Sequence, residues 1–380
     1  MLRCGFLFSV FLCAFSCSIS KKNNYQQLLE SLEAYNVIEL TSNNGQSRLI
    51  ISTEDNGKII ASTHNGLNGS YNGWVNKLAL TDNSKNIGGE ERLWIGPLGS
   101  QFSFYFQQIE PLHDDNWKVP DPINTESYNV ISRDKDWVEL HKTMQLTNYI
   151  GTTFNFQVNR KISMLSKEII QKHLKINLNR TIKYVAFETQ NTLTSLDTVS
   201  WTKENGLVGL WSAGMYQGTD DTVVIIPLKT DANTSNILTY LAPLDSTRLL
   251  VKNNVVLFKA DSKYRSKIGI PPEIAPDIYG CFSKTKNRLT IIQYQKDNDR
   301  LYSNSFVEIL DEPYKGEAIP IYNHSENFFE LESNAPLKAL RQNETTSHWH
   351  RVYHFSDNYD SLNEISQNLL GVNLKACVFE

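Results

Sequence analysis

Thr152-Thr-Phe-Asn-Phe-Gln-Val158 alternates residue by residue between apolar and polar side chains. In an extended chain successive side chains point to opposite faces, so Phe154, Phe156 and Val158 line one face and Asn155 and Gln157 the other. Similar stretches recur at Arg48-Leu-Ile-Ile-Ser-Thr53, Thr222-Val-Val-Ile-Ile-Pro227, Asn254-Val-Val-Leu-Phe-Lys259 and Arg288-Leu-Thr-Ile-Ile-Gln-Tyr294. Turn-forming clusters separate them, among them Asp55-Asn-Gly57, Asn65-Gly66, Asn68-Gly69 and Asn205-Gly206. An aromatic content of 11%, with 17 Tyr and 17 Phe, suits many strands of ordinary length. Only two segments carry helical spacing. Tyr25, Leu28, Leu29, Leu32 and Tyr35 share one face, and so do Leu362, Ile365, Leu369 and Leu370, with Asp360 expected as N-cap and Gly371 as the stop. The pattern therefore predicts a mostly β, antiparallel architecture with a short helix at each end. Alternation alone does not separate a sandwich from a barrel.

The first residues read as an address. Arg3 precedes an apolar run from Gly5 to Phe15, interrupted by Ser9, too short to span a bilayer and typical of a secretory signal. Ala14-Phe15-Ser16-Cys17 resembles the lipobox of bacterial lipoproteins, with Ala where Leu is usual. The layout this implies is a signal peptide at residues 1–16, a tether lipidated on Cys17 with a short helix over 17–37, and a single β domain over 38–380. An ordinary signal peptide with a chance Cys is the alternative. The expected location is a periplasm-facing lipoprotein of the outer membrane, touching the membrane through its lipid alone. A net charge of −4 and the lack of any Lys/Arg run argue against a nucleic-acid partner. Cys281 and Cys377 either pair or stay as buried thiols. Oligomeric state is left open.

Four constellations carry candidate chemistry. Phe328-Phe-Glu-Leu-Glu-Ser333 and Ser347-His-Trp-His-Arg351 each place two polar groups on one strand face. If the two strands pair, Glu330 and Glu332 converge with His348 and His350. Such a set suits general acid–base catalysis. It also suits a divalent metal held by His348, His350 and Glu332, the one cofactor these residues suggest. A solvent-facing polar strand is the plain alternative. In the segment 88–106, Arg92 and Trp94 fall on one face, a pairing that fits a polyhydroxylated ligand, unless Arg92 pairs with Glu90 and Trp94 is core. His113 and Trp117 follow as candidate rim residues. Glu188 and Asn191 sit in an otherwise apolar stretch, lining a cleft or satisfying buried backbone. Tyr264, Arg265 and Lys267 form a basic–aromatic cluster that fits an anionic or hydroxylated ligand, or a surface hairpin.

No Walker A loop, dinucleotide fingerprint, Gly-x-Ser-x-Gly elbow or His-Glu-x-x-His occurs, which disfavours nucleotide and serine-hydrolase chemistry. The segments 88–106, AFETQNTLTS at 186–195, WTKENGLVGLW at 201–211, FKADSKYRSKIG at 258–269 and FELES with SHWHRVYHF across 329–355 together resemble a family of exported, Bacteroidetes-type lipoproteins with a galactose-mutarotase-like fold. The resemblance implies an antiparallel β-supersandwich with a sugar-sized cleft on a concave face. In aldose 1-epimerases an early Arg holds the sugar, a His is the acid and a late Glu is the base. By chain order Arg92 and either Glu330 or Glu332 take those places. The mid-chain His has no counterpart beyond His141 and His173, so His348 and His350 stand as substitutes. The expectation is a carbohydrate-active protein, epimerase- or mutarotase-like. The alternatives are a non-catalytic sugar-binding module built on Arg92, Trp94 and Trp117, and an envelope protein without a small ligand.

Overall fold

The computed structural model describes residues 24–80, 87–229, 232–298, 300–325 and 327–379. The signal and lipid-site expectation, Cys17 included, lies outside them. Among the described residues three antiparallel sheets make up the fold. The largest has ten strands in the spatial order Leu249–Lys252, Val255–Lys259, Val223–Pro227, Ile278–Ser283, Arg288–Tyr294, Thr345–Ser356, Lys183–Ser195, Thr153–Met164, Trp137–Thr147 and Asn129–Arg133. The second has six, in the order Leu238–Thr239, Ser266–Ile270, Ile319–Asn323, Phe329–Asn334, Gly209–Tyr216 and Arg92–Gly96. The third joins Val37–Ser42, Ser47–Ser52 and Lys58–Thr63. Strand order is linear and each sheet keeps two edges, so the sheets stack as a sandwich and do not close into a barrel.

Alternation does the work expected of it. Phe154, Phe156 and Val158 are buried, each contributing about 1.5–3 kcal/mol by leaving water, while Asn155 and Gln157 take the other side. The central strands of the ten-stranded sheet are covered on both faces. Val224 and Ile226 enter the core between the sheets, while Val223 and Ile225 pack under the helices Lys167–Leu174 and Tyr359–Leu370. That is why Thr222–Pro227 reads as a nearly continuous apolar run. A third cluster seats the helix Tyr25–Ser31, through Tyr25 and Leu28, on the three-stranded sheet.

Both expected helices are present. The C-terminal one starts two residues earlier than the sequence suggests: Asn358 caps it by accepting from the Ser361 N–H at 3.0 Å, and Asp360 sits in its first turn. Gly371 ends it in the left-handed region at φ 67°. The helix Lys167–Leu174 escapes sequence reading because its eight residues bury only Ile170 and Leu174. Cys281 and Cys377 are free, buried thiols.

Candidate functional site

The two strands expected to pair belong to different sheets. Phe329–Asn334 lies between Ile319–Asn323 and Gly209–Tyr216, whereas Thr345–Ser356 lies between Arg288–Tyr294 and Lys183–Ser195. Alternation along Phe329–Asn334 then divides its side chains. Phe329 and Leu331 enter the core between the sheets, and so does Ser333, whose Oγ lies 2.8 Å from both His348 Nε2 and His350 Nδ1. Glu330 and Glu332 point out of the opposite face. The expected convergence of two carboxylates with two imidazoles is therefore corrected: a strand of backbone separates them. Burial pushes the proton affinity of both His348 and His350 down to about 3, helped at His348 by its neighbour His350 and at His350 by Arg160. They are neutral core residues. The suggested metal set of His348, His350 and Glu332 does not assemble, and among the described residues no group of three His, Cys, Asp or Glu is arranged to hold an ion.

Two more candidates belong elsewhere. Glu188 and Asn191 differ in parity and leave their strand on opposite sides. Glu188 pairs with Arg351 on the helix-covered side, and Asn191 accepts from Arg160 Nη1 at 2.9 Å between the sheets. Arg160 also pairs with Glu91 and donates to the Gly57 carbonyl, so this polar knot ties the three sheets together. Glu90, offered as an ion partner for Arg92, instead bonds His354 and Ser62. Tyr264 packs its ring against the Arg248 guanidinium, 5.1 Å away.

The face of the six-stranded sheet opposite His348 and His350 gathers the rest. Arg92 and Glu332 both stand opposite Ala213, on either side of it, so register sets them in one row. Trp94 and Trp211 occupy the next row. The Arg92 guanidinium pairs with Glu330 and lies 4.5 Å over the Trp94 ring. Trp211 Nε1 donates to Glu332 Oε2 at 2.7 Å, and Lys267 Nζ stands 3.8 Å from that oxygen and 5.2 Å over the Trp211 ring. Glu332 is fully buried, and among the described residues its second oxygen has no partner, nor has Trp94 Nε1. Burial above all, then the charge of Glu330, lifts the Glu332 carboxyl from 4.5 to about 7 against the opposing pull of Lys267.

Sequence reading missed several members of this face. Trp211 lies in a quoted segment, but nothing marked it as facing Glu332. Glu317 precedes its strand in a loop without pattern. It is buried, accepts from Tyr240 Oη and Ser305 Oγ, and has its proton affinity raised by burial. A loop crosses the face as a lip. Tyr105 and Trp117 stack there at 5.7 Å and 5° between planes, and Trp117 lies 5.9 Å from Trp94 while remaining 38% exposed. Asp114 on the same loop takes Arg265 Nη1 at 2.9 Å, and Arg265 in turn reaches Tyr322 Oη at 3.3 Å. His113 is an exposed rim residue beside them.

Comparison with known proteins bears on the fold. The structure resembles that of a candidate aldose 1-epimerase from Escherichia coli K12 with a TM-score of 0.52 and 11% identity, covering 84% of this chain and 98% of that one. It resembles a galactose mutarotase-like protein from Lactobacillus casei ATCC 334 with a TM-score of 0.50 and 10% identity, covering 84% and 100%. The fold is thus galactose mutarotase-like; at such identity the likeness concerns architecture alone. No curated protein matches the sequence. The model of a family of unknown function, DUF6786, matches residues 23–378, and the chain belongs to that family.

Proposed function

We propose that this member of DUF6786 acts on a sugar at the Glu330/Glu332 face of its six-stranded sheet, by proton transfer between Glu330, Glu332 and the substrate. The observation that supports it most is the pair of unlike carboxyls on one face: Glu330 engaged by Arg92, and Glu332 buried with its proton affinity near neutrality. Two carboxyls whose surroundings set them apart are suited to work as base and acid. On a hemiacetal the step is balanced. Glu330 takes the proton of the anomeric hydroxyl while Glu332 gives its proton to the ring oxygen; the bond between C1 and that oxygen breaks, and reclosure on the other face of the carbonyl reverses both transfers. Trp117, 38% exposed, offers a ring face to sugar C–H groups, with Trp94 and Trp211 packed behind it, and Arg92 and Lys267 stand beside them as donors for hydroxyls. Glu332 takes the acid's part that sequence reading gave to His348 and His350.

The test is anomer equilibration of a panel of free sugars, followed by NMR. A sugar whose equilibration the protein speeds should lose about 100-fold or more of that effect in Glu332→Gln, the ordinary worth of a general acid. Full activity in Glu332→Gln would overturn the proposal. The exposed, stacked Trp117 favours a second reading, a sugar-binding module without turnover. Saturable sugar binding without acceleration of anomer exchange would select it. In either case we propose the exported, lipid-anchored setting from the Cys17 segment, to be checked by mass spectrometry of the mature N-terminus.

A further inference from the structure

We propose that residues 111–117 form a strap closed over the Glu330/Glu332 face and latched by Asp114 to Arg265, and that a ligand reaches the face only when this latch opens; the identity of the ligand rests on the sugar reading above. The course of the strap follows from sheet order and register. Lys267, Tyr322 and Glu330 form one row of the face, Glu332 and Arg92 the next, and Trp211 and Trp94 the third. At one end of the strap Trp117 lies 5.9 Å from Trp94 and stacks on Tyr105. At the other, Asp114 takes Arg265 Nη1 at 2.9 Å, and Arg265 Nε reaches Tyr322 Oη at 3.3 Å. Trp94 and Tyr322 stand on strands three places apart, about 14 Å at the usual strand spacing. The ring of contacts closes through the face itself. The Arg92 guanidinium lies 4.5 Å over Trp94 and pairs with Glu330, and Glu330 stands opposite Tyr322. Residues 114–117 therefore bridge the face above Glu330.

What lies beneath is shut off from water. Arg92, Lys267, Glu330 and Glu332 are each at most 9% exposed, so a ring-sized ligand has no route to them while the strap is down. What holds the strap down is slight. Its turn at Asp114–Asn116 is tied within the segment: the Asn116 N–H donates to the His113 carbonyl at 2.9 Å, the Trp117 N–H to the Asp114 carbonyl at 3.2 Å, and Asn116 Nδ2 to the Pro111 carbonyl at 3.0 Å. Leu112 packs on the core at the root, and the Lys118 N–H donates to the Tyr105 carbonyl at 2.9 Å just past the other end. Among the described residues the one polar tie from the strap to the far side of the face is the Asp114–Arg265 pair, whose side chains are both nearly half exposed. An exposed ion pair holds weakly and yields to salt. A segment whose hydrogen bonds are its own lifts without breaking a sheet ladder. Open, it admits a ligand; shut, it excludes water and keeps the carboxyls in the dry setting that proton transfer uses.

Exchange of indole protons with water, read by NMR on the full chain labelled in Trp, tests this without any ligand. Trp94 Nε1 is buried and has no hydrogen-bond partner among the described residues, so exchange of its proton measures access alone. Trp201, whose Nε1 donates to Asp197 at 2.9 Å, is the reference and should not change. Asp114→Asn should speed the Trp94 exchange about two- to fivefold, the worth of an exposed ion pair. Arg265→Gln should do the same, with no further gain in the double variant, because both remove one latch. Raising salt to about 1 M should speed the wild type likewise and leave Asp114→Asn unmoved. Trp94 exchange that stays level with the reference in both single variants overturns the strap. Exchange that responds in a protein that neither binds nor equilibrates any sugar supports the strap and removes the sugar reading; sugar turnover with unresponsive exchange removes the strap and leaves that reading in place.

Discussion

Replacing Glu332 by Gln removes a carboxyl whose ionised form the folded chain disfavours by holding it in a dry place. Its ordinary value of 4.5 rises to about 7 on folding, chiefly through burial. A group that holds its proton more tightly folded than unfolded loses stability as pH rises through that interval. Below 4.5 it is protonated in both states and costs nothing; above 7 the full cost is present. At 1.36 kcal/mol per pH unit, a rise from 4.5 to about 7 amounts to about 3 kcal/mol, most of which appears between pH 5 and 8. Gln keeps an oxygen for the Trp211 Nε1 bond and does not titrate. Urea unfolding of both proteins at intervals from pH 5 to 8 gives a difference curve in which the other titrating groups largely cancel. That curve should move in favour of Glu332→Gln by about 2–3 kcal/mol as pH rises, with most of the change below pH 7. A flat curve would refute the claim that Glu332 is held protonated near neutrality, and with it the acid's role proposed above. A curve of opposite slope would mean that Lys267 outweighs burial.

Other changes follow from the same geometry. Arg92→Met leaves Glu330 buried without its partner and should cost about 3–5 kcal/mol in urea unfolding. Arg160→Ala should cost at least as much, since both members of its pair with Glu91 are fully buried, whereas Arg265→Ala breaks an exposed pair with Asp114 and should stay within about 1 kcal/mol. Trp117→Ala should lower sugar affinity about tenfold while changing the midpoint of unfolding little, because the ring is partly exposed. His348 and His350 hold protons less tightly folded than unfolded. Their contribution is complete above 6.5 and drains away as pH falls toward 3, so the wild-type chain should unfold in mild acid, and His350→Gln should flatten that limb. An acid limb of unchanged slope in that variant would count against neutral core histidines.

The fold was legible because alternation is a local signal. Phe154, Phe156 and Val158 declare their face within seven residues. The site was legible in part. Arg92 and Trp94 share a strand, and Glu330 and Glu332 share another, so parity alone groups each pair. Which strand lies beside which depends on partners far off in the chain, and that is where the histidines were misassigned: Phe329–Asn334 and Thr345–Ser356 are close in sequence yet sit in opposite sheets. Composition could not separate Glu188 from Asn191 either, because both are polar within an apolar run and only their odd spacing sends them to opposite faces. Glu317 and Trp211 gave no signal because their meaning comes from the neighbours that the tertiary fold brings them.

The strand Phe329–Asn334 is a partition wall with a different tenant on each side: Leu331 and Ser333 inward, Glu330 and Glu332 outward. Inserting or deleting one residue within it would exchange the tenants, driving two carboxylates into the apolar core and bringing Leu331 and Ser333 out beside Arg92. Change in this strand is therefore confined to substitution, or to insertions in even numbers at its ends. The turns that flank it are free to vary in length, and differences in ligand preference among related chains should accumulate in the lip around Asp114 and Trp117, leaving the wall alone.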